Sequence, residues 1–116
     1  MGRRVSRGDV CWYDFQPPDK RRPVLVLTRD SAIDHLTGIT IAPLTTTIRG
    51  IPTEVVLTPD LDGVPETCAV NLDNLQTVRK AQLGTTVTHL TPARVRAVEY
   101  ALLFALGIAW RRANDS

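Results

Sequence analysis

Two cysteines, Cys11 and Cys68, are all that 116 residues contain, with no C-x-x-C spacing and no histidine beside either. That scarcity argues against a disulfide framework or a zinc site and favours two small core residues in a reducing compartment. No stretch approaches the roughly 20 apolar residues that a membrane-spanning helix needs. The first twenty residues carry no apolar run of signal-peptide length, so the expected location is the cytoplasm. A glycine-rich phosphate loop, a paired-carboxylate motif, an internal repeat and low-complexity sequence are all missing, which removes the usual signatures of nucleotide or metal chemistry. Histidine is scarce as well. His35 falls in a polar loop and His89 just ahead of a helix cap, so a two-histidine acid–base pair has no support in the spacing.

What is present is ordinary in amount and informative in kind. Apolar residues make up 43% and charged ones 22%, typical of a soluble globular chain, and the length fits one domain spanning residues 1–116. A net charge of +2 makes no case for nucleic-acid binding by itself. Twelve of the fourteen basic residues are arginine, however, and only Lys20 and Lys80 are lysine. The guanidinium fork contacts a phosphate in two places, so this bias suits an anionic partner; arginine-rich codon usage would produce it equally well.

The apolar pattern reads as a chain of short strands closed by one helix. Val10 to Phe15 forms a first strand, stopped at Gln16-Pro17-Pro18. Pro23 opens Val24 to Thr28, a continuous aliphatic run of the kind buried on both faces. Asp30 to Gly38 reads as a loop. Ile39 to Thr45 is a strand interrupted by Pro43, which points to an edge or a bulge. Further strands follow at Thr53 to Leu57, Cys68 to Val78 with a break near Asp73, and Leu83 to His89; Thr58 to Thr67 reads as a loop. Thr91 then caps a helix with Pro92 at its first position and Gly107 as its stop. Tyr100, Leu103 and Phe104 make the second half of that helix apolar on nearly all sides, more than one barrel face can cover, which points to a second subunit. Short strands with tight connections predict a mainly β fold with α: a small β-barrel and a C-terminal helix.

Three polar constellations could carry chemistry. Lys20-Arg21-Arg22 stands ahead of a buried strand, which would fix where the last cation points; solvated loop charge is the bland alternative. Thr45-Thr46-Thr47 ends a strand, where a hydroxyl can donate to a phosphate oxygen, although threonine is common in strands anyway. Asn71, Asp73, Asn74 and Gln76 could read the edges of unstacked bases, as single-stranded RNA recognition requires, or could be the polar outer face of a strand.

These residues carry a resemblance. Arg7-Gly8-Asp9-Val10 with Trp12 and Asp14, then Arg22-Pro23-Val24-Leu25-Val26, then Ala42-Pro43-Leu44-Thr45-Thr46, Ile51-Pro52-Thr53-Glu54-Val55 and Asp73 to Val78, resembles the MazF/PemK toxins in order and spacing from about Arg7 to Ala109. The resemblance implies an SH3-like barrel, a homodimer and sequence-specific cleavage of single-stranded RNA without metal or other cofactor. It also implies a cognate antitoxin as partner. By the same route Arg22 and Thr45 take the positions of the catalytic arginine and threonine, and Lys20, Arg21, Thr46, Asn74 and Gln76 become candidate RNA contacts. Two departures stand out. The loop from Gln16 to Arg21 is several residues shorter than the family's common form, and Gln76 replaces an arginine. Two rivals stand beside this reading: a gyrase-poisoning toxin of the CcdB kind, which shares the barrel but would act on a protein through the Trp110-Arg111-Arg112 tail, and a catalytically idle RNA-binding relative.

Overall fold

A computed structural model describes residues 4–18 and 20–109. In chain order the elements are β1 (Asp9–Asp14), β2 (Arg21–Val26), α1 (Asp30–Ile33), β3 (Gly38–Thr45), β4 (Glu54–Leu57), α2 (Pro59–Asp62), β5 (Cys68–Asn71), β6 (Gln76–Arg79), β7 (Thr86–His89) and α3 (Pro92–Leu106), with one 3₁₀ turn at Lys80–Gln82. The strands run in the order β4-β5-β3-β2-β1-β7, all neighbours antiparallel, and β6 adds to β3. The sheet curls into a half-barrel with α3 packed on it, which is the mainly β architecture with a C-terminal helix that the pattern predicts.

The run Val24-Leu25-Val26 is buried on both faces, as its composition predicts. Leu25 joins Val10, Ala42, Leu57, Leu72 and Leu90 in the cluster beneath Val98 and Ala101 of α3. Val24 and Val26 turn the other way, onto Cys11, Ile33, Ile39, Ile41 and Val78. Period-two alternation thus feeds two cores from one strand.

Four local expectations are corrected. β2 starts at Arg21, so Arg21 and Arg22 lie in the strand and not ahead of it, paired with Asp14 and Tyr13 of β1. Pro43 marks no edge: β3 is the most widely paired strand, and Pro43 is buried opposite Val24. It stands where β3 changes partner, from β6 up to Ile41 to β5 from Leu44, so a residue without an N–H falls at a gap in the ladder. The stretch 30–38 opens with α1, and Thr58 to Thr67 contains α2, which Thr58 caps by accepting from the Leu61 N–H while the Thr58 N–H donates to Asp62. The break near Asp73 is a turn that separates β5 from β6. At the far end α3 begins at Thr91 and Pro92 and stops at Gly107, whose φ of 68° suits glycine.

Candidate active site

The cleft forms where β2 and β3 part. Their ladder ends at Val24↔Pro43. Beyond it β2 continues with β1 alone, while β3 turns to β5 through Leu44↔Val70 and Thr45↔Ala69. The opening holds about 490 Å³. One wall carries Trp12, Lys20, Arg21, Arg22 and Pro23; the other carries Leu44, Thr45, Thr46, Thr47, Pro65, Glu66 and Cys68. The register that pairs Val24 with Pro43 places Arg22 opposite Thr45 when continued by two residues, so the two side chains stand on facing flanks of the same cleft.

Each flank is set by local packing. Arg21 and Arg22 alternate to the two faces of the β1–β2 ribbon: the Arg21 guanidinium lies 4.8 Å over the Trp12 ring, and the Arg22 guanidinium 5.9 Å from the Phe15 ring, itself braced edge-on by Tyr13. Aromatic support fixes a cation without neutralising it. Arg21 has only a loose, exposed pairing with Asp14 at 4.0 Å, and among the described residues no carboxylate pairs with Arg22. Its N–H donors are left for an anion. On the facing wall Thr45 Oγ1 accepts from the Thr47 N–H at 3.1 Å. That bond occupies the oxygen and leaves the hydroxyl proton free to be donated elsewhere.

Lys20, Arg21, Arg22, Thr45 and Thr46 are therefore brought together. Asn74 and Gln76 do not line this cleft. Asn74 sits exposed in the turn before β6, and Gln76 pairs with Ile41, on the sheet face that also carries Pro43 and Thr45. The histidines lie elsewhere too: His35 follows α1, and His89 contacts Asp9 at 2.6 Å near Arg7 and Glu99. Asp9 also accepts from the Ser6 N–H, and Arg7 bonds the Leu27 carbonyl and Glu99 of α3, so the Arg7-Gly8-Asp9 motif ties the chain start to the helix and takes no part in the cleft. Gly8 at φ 94° permits that turn.

Sequence reasoning did not single out Trp12, Glu66 and Cys68 for this site. Trp12 and Cys68 read as ordinary strand residues, and Glu66 belongs to a stretch readable only as loop; nothing along the chain signals that the parting of β2 and β3 would gather them. Cys68 has a reason to be inert. Burial, with the charges of Glu66 and Asp62, holds its thiol up at about 11, so it stays a neutral lining group at physiological pH. Among the described residues no group of three or more His, Cys, Asp or Glu side chains could hold a metal ion, and no helix is long and apolar enough to cross a membrane.

Fold and cleft define a small half-barrel protein with an opening at the end of its sheet that is lined by three cations. The profile of the PemK-like, MazF-like toxins of type II toxin–antitoxin systems matches residues 6–106. "Probable endoribonuclease MazF5" of Mycobacterium tuberculosis is 45% identical over 101 residues, covering 87% of this chain and 92% of that protein. Among solved structures, M. tuberculosis toxin MazF-mt6 superposes with a TM-score of 0.79 at 35% identity, covering 88% of this chain and 99% of that one. A mycobacterial endoribonuclease solved in complex with its cognate antitoxin gives 0.81 at 32%, covering 93% and 100%. The chain belongs to the PemK/MazF family of toxins. It is an endoribonuclease of that family, and the gyrase-poisoning alternative is not favoured; the Trp110-Arg111-Arg112 tail on which that rival leaned lies outside the described residues.

Proposed function

We propose that this toxin cuts single-stranded RNA at short sequences without metal or other cofactor, leaving a 2′,3′-cyclic phosphate and a 5′-hydroxyl, and so arrests translation and growth. The observation that carries this reading is an Arg22 guanidinium with no carboxylate partner among the described residues, facing the Thr45 hydroxyl across an open cleft. The ribose 2′-oxygen attacks the adjacent phosphorus and the 5′-oxygen leaves. Charge accumulates on the phosphoryl oxygens as this happens, and Arg22 stabilises it while Thr45 donates a hydrogen bond that orients the group. A guanidinium does not give up its proton in water near neutral pH, so Arg22 acts by charge and not by proton transfer. Lys20, Arg21 and Thr46 hold neighbouring phosphates, and Asn74 and Gln76 read bases farther along the sheet. The presence of both Arg22 and Thr45 in the cleft argues against a catalytically idle relative.

The same reading supplies partners. Tyr100 and Phe104 of α3 are 68% and 63% exposed, with Leu106 and Ile108 beside them, an apolar strip suited to a second copy of the chain; sedimentation at the monomer mass would contradict a homodimer. The relative solved with its cognate antitoxin supports an antitoxin partner here. Cytoplasmic RNA is the expected target. The test is incubation of the purified protein with a mixed RNA in EDTA, with end-mapping of the fragments. Cleavage at a recurrent short sequence with 5′-hydroxyl ends is the expected result; RNA left intact, or cleavage only on adding a divalent ion, contradicts it.

A further inference from the structure

The arginine cannot move a proton, yet the reaction needs one removed from the 2′-hydroxyl. Among the described residues that line the cleft, one group can accept it. Lysine and arginine are charged donors, the threonine hydroxyls are too weakly basic, the Cys68 thiol is neutral, and both histidines are elsewhere. Glu66 remains, on the exposed loop between α2 and β5, on the wall opposite Lys20, Arg21 and Arg22. Among the described residues it forms no hydrogen bond and no ion pair, although three cations line the same opening. Its charge nevertheless reaches its neighbour on the same wall, where it helps to raise the Cys68 thiol. A free carboxylate works against phosphate binding, so its place in an anion-binding cleft is better explained by chemistry than by affinity.

We propose that Glu66 is the general base of the cleavage step, an assignment that rests on the nuclease reading above. Its carboxylate takes the 2′-hydroxyl proton as the O2′–P bond forms. The P–O5′ bond breaks, and O5′ leaves with the bonding pair and takes a proton from water. Glu66 then releases its proton to solvent.

The experiment is single-turnover cleavage, in EDTA, of an oligonucleotide carrying the mapped cut site, by the native protein, Glu66→Gln and Glu66→Asp across a pH series. Glu66→Gln is expected to slow cleavage about 10²-fold at neutral pH and to abolish the acidic limb of the pH–rate profile. Binding of the matching 2′-deoxy oligonucleotide stays as tight or tightens. Glu66→Asp keeps the limb at an intermediate rate. A native rate in Glu66→Gln overturns the assignment. So does a changed cut site or weakened binding with the saturated rate preserved, which would make Glu66 a base-reading residue. If the native protein cleaves no RNA, the nuclease reading itself has failed, and the assignment fails with it.

Discussion

Replacing Arg22 with alanine should lower the single-turnover cleavage rate by about 10²–10³-fold, the loss expected when one preorganised donor to a developing oxyanion is removed. The fold should survive. Arg22 is half-buried, its aromatic contact with Phe15 is at the long end of the useful range, and no ion pair among the described residues is lost. A surface change of this kind costs about 0.5 kcal/mol or less. Arg22→Lys keeps the charge but gives up the planar fork that grips two phosphoryl oxygens, so it should recover only part of the rate. A charge-stabilising arginine also predicts that neither variant alters the shape of the pH–rate profile. Near-native activity of Arg22→Ala would remove Arg22 from the site, and a profile shifted by Arg22→Lys would return a proton-transfer role to it.

The second large effect concerns stability. Asp62 is nearly fully buried and does two jobs: its Oδ2 accepts from the Thr58 N–H at 2.9 Å and its Oδ1 from Arg94 Nε at 2.8 Å. It thereby closes α2 on its own cap and fastens that turn to α3. Asp62→Ala strands an arginine beside the core and frees a backbone donor, each a charge-assisted bond worth about 1.5–3 kcal/mol. Because the Arg94 side chain is 32% exposed and can recover some hydration, the expected loss is about 3 kcal/mol, toward the low end for a broken buried pair. For a domain of this size that corresponds to a thermal midpoint about 10 °C lower. Calorimetry that finds less than a third of that shift would mean that the Asp62 bonds contribute little. The exposed Arg4–Asp34 pair is the useful contrast, since its loss should be almost silent.

Much of this molecule is legible in its sequence, for reasons that can be named. Val24-Leu25-Val26 announces a doubly buried strand because every residue in it is aliphatic. Thr91, Pro92 and Gly107 announce the bounds of α3 because each supplies something that only a helix end needs. What is not legible depends on pairing at a distance. Pro43 reads as an edge signal, yet it lies in the middle of the sheet because β3 exchanges β6 for β5 at that point. Lys20-Arg21-Arg22 reads as loop charge, and only the ladder with Asp14 and Tyr13 shows that two of the three are strand residues with fixed directions. The resemblance nominated Arg22 and Thr45. The cleft that brings them to facing walls, and brings Trp12, Glu66 and Cys68 with them, follows from where two strands separate, which no local pattern encodes. Asp62 is the same kind of case: in sequence it is one acid in a loop, in the fold the anchor of a turn.

In the proposed mechanism the Arg22–Thr45 cleft cuts RNA by directing the neighbouring 2′-hydroxyl at phosphorus. The most direct measurement compares, in EDTA, an oligoribonucleotide carrying the mapped cut site with the same strand bearing a single 2′-deoxyribose on the 5′ side of the scissile phosphate. The ribose strand should be cut to a 2′,3′-cyclic phosphate and a 5′-hydroxyl while the deoxy strand binds and stays whole. Cleavage of the deoxy strand at the same phosphate would contradict the account, because the nucleophile would then have to come from somewhere other than the substrate.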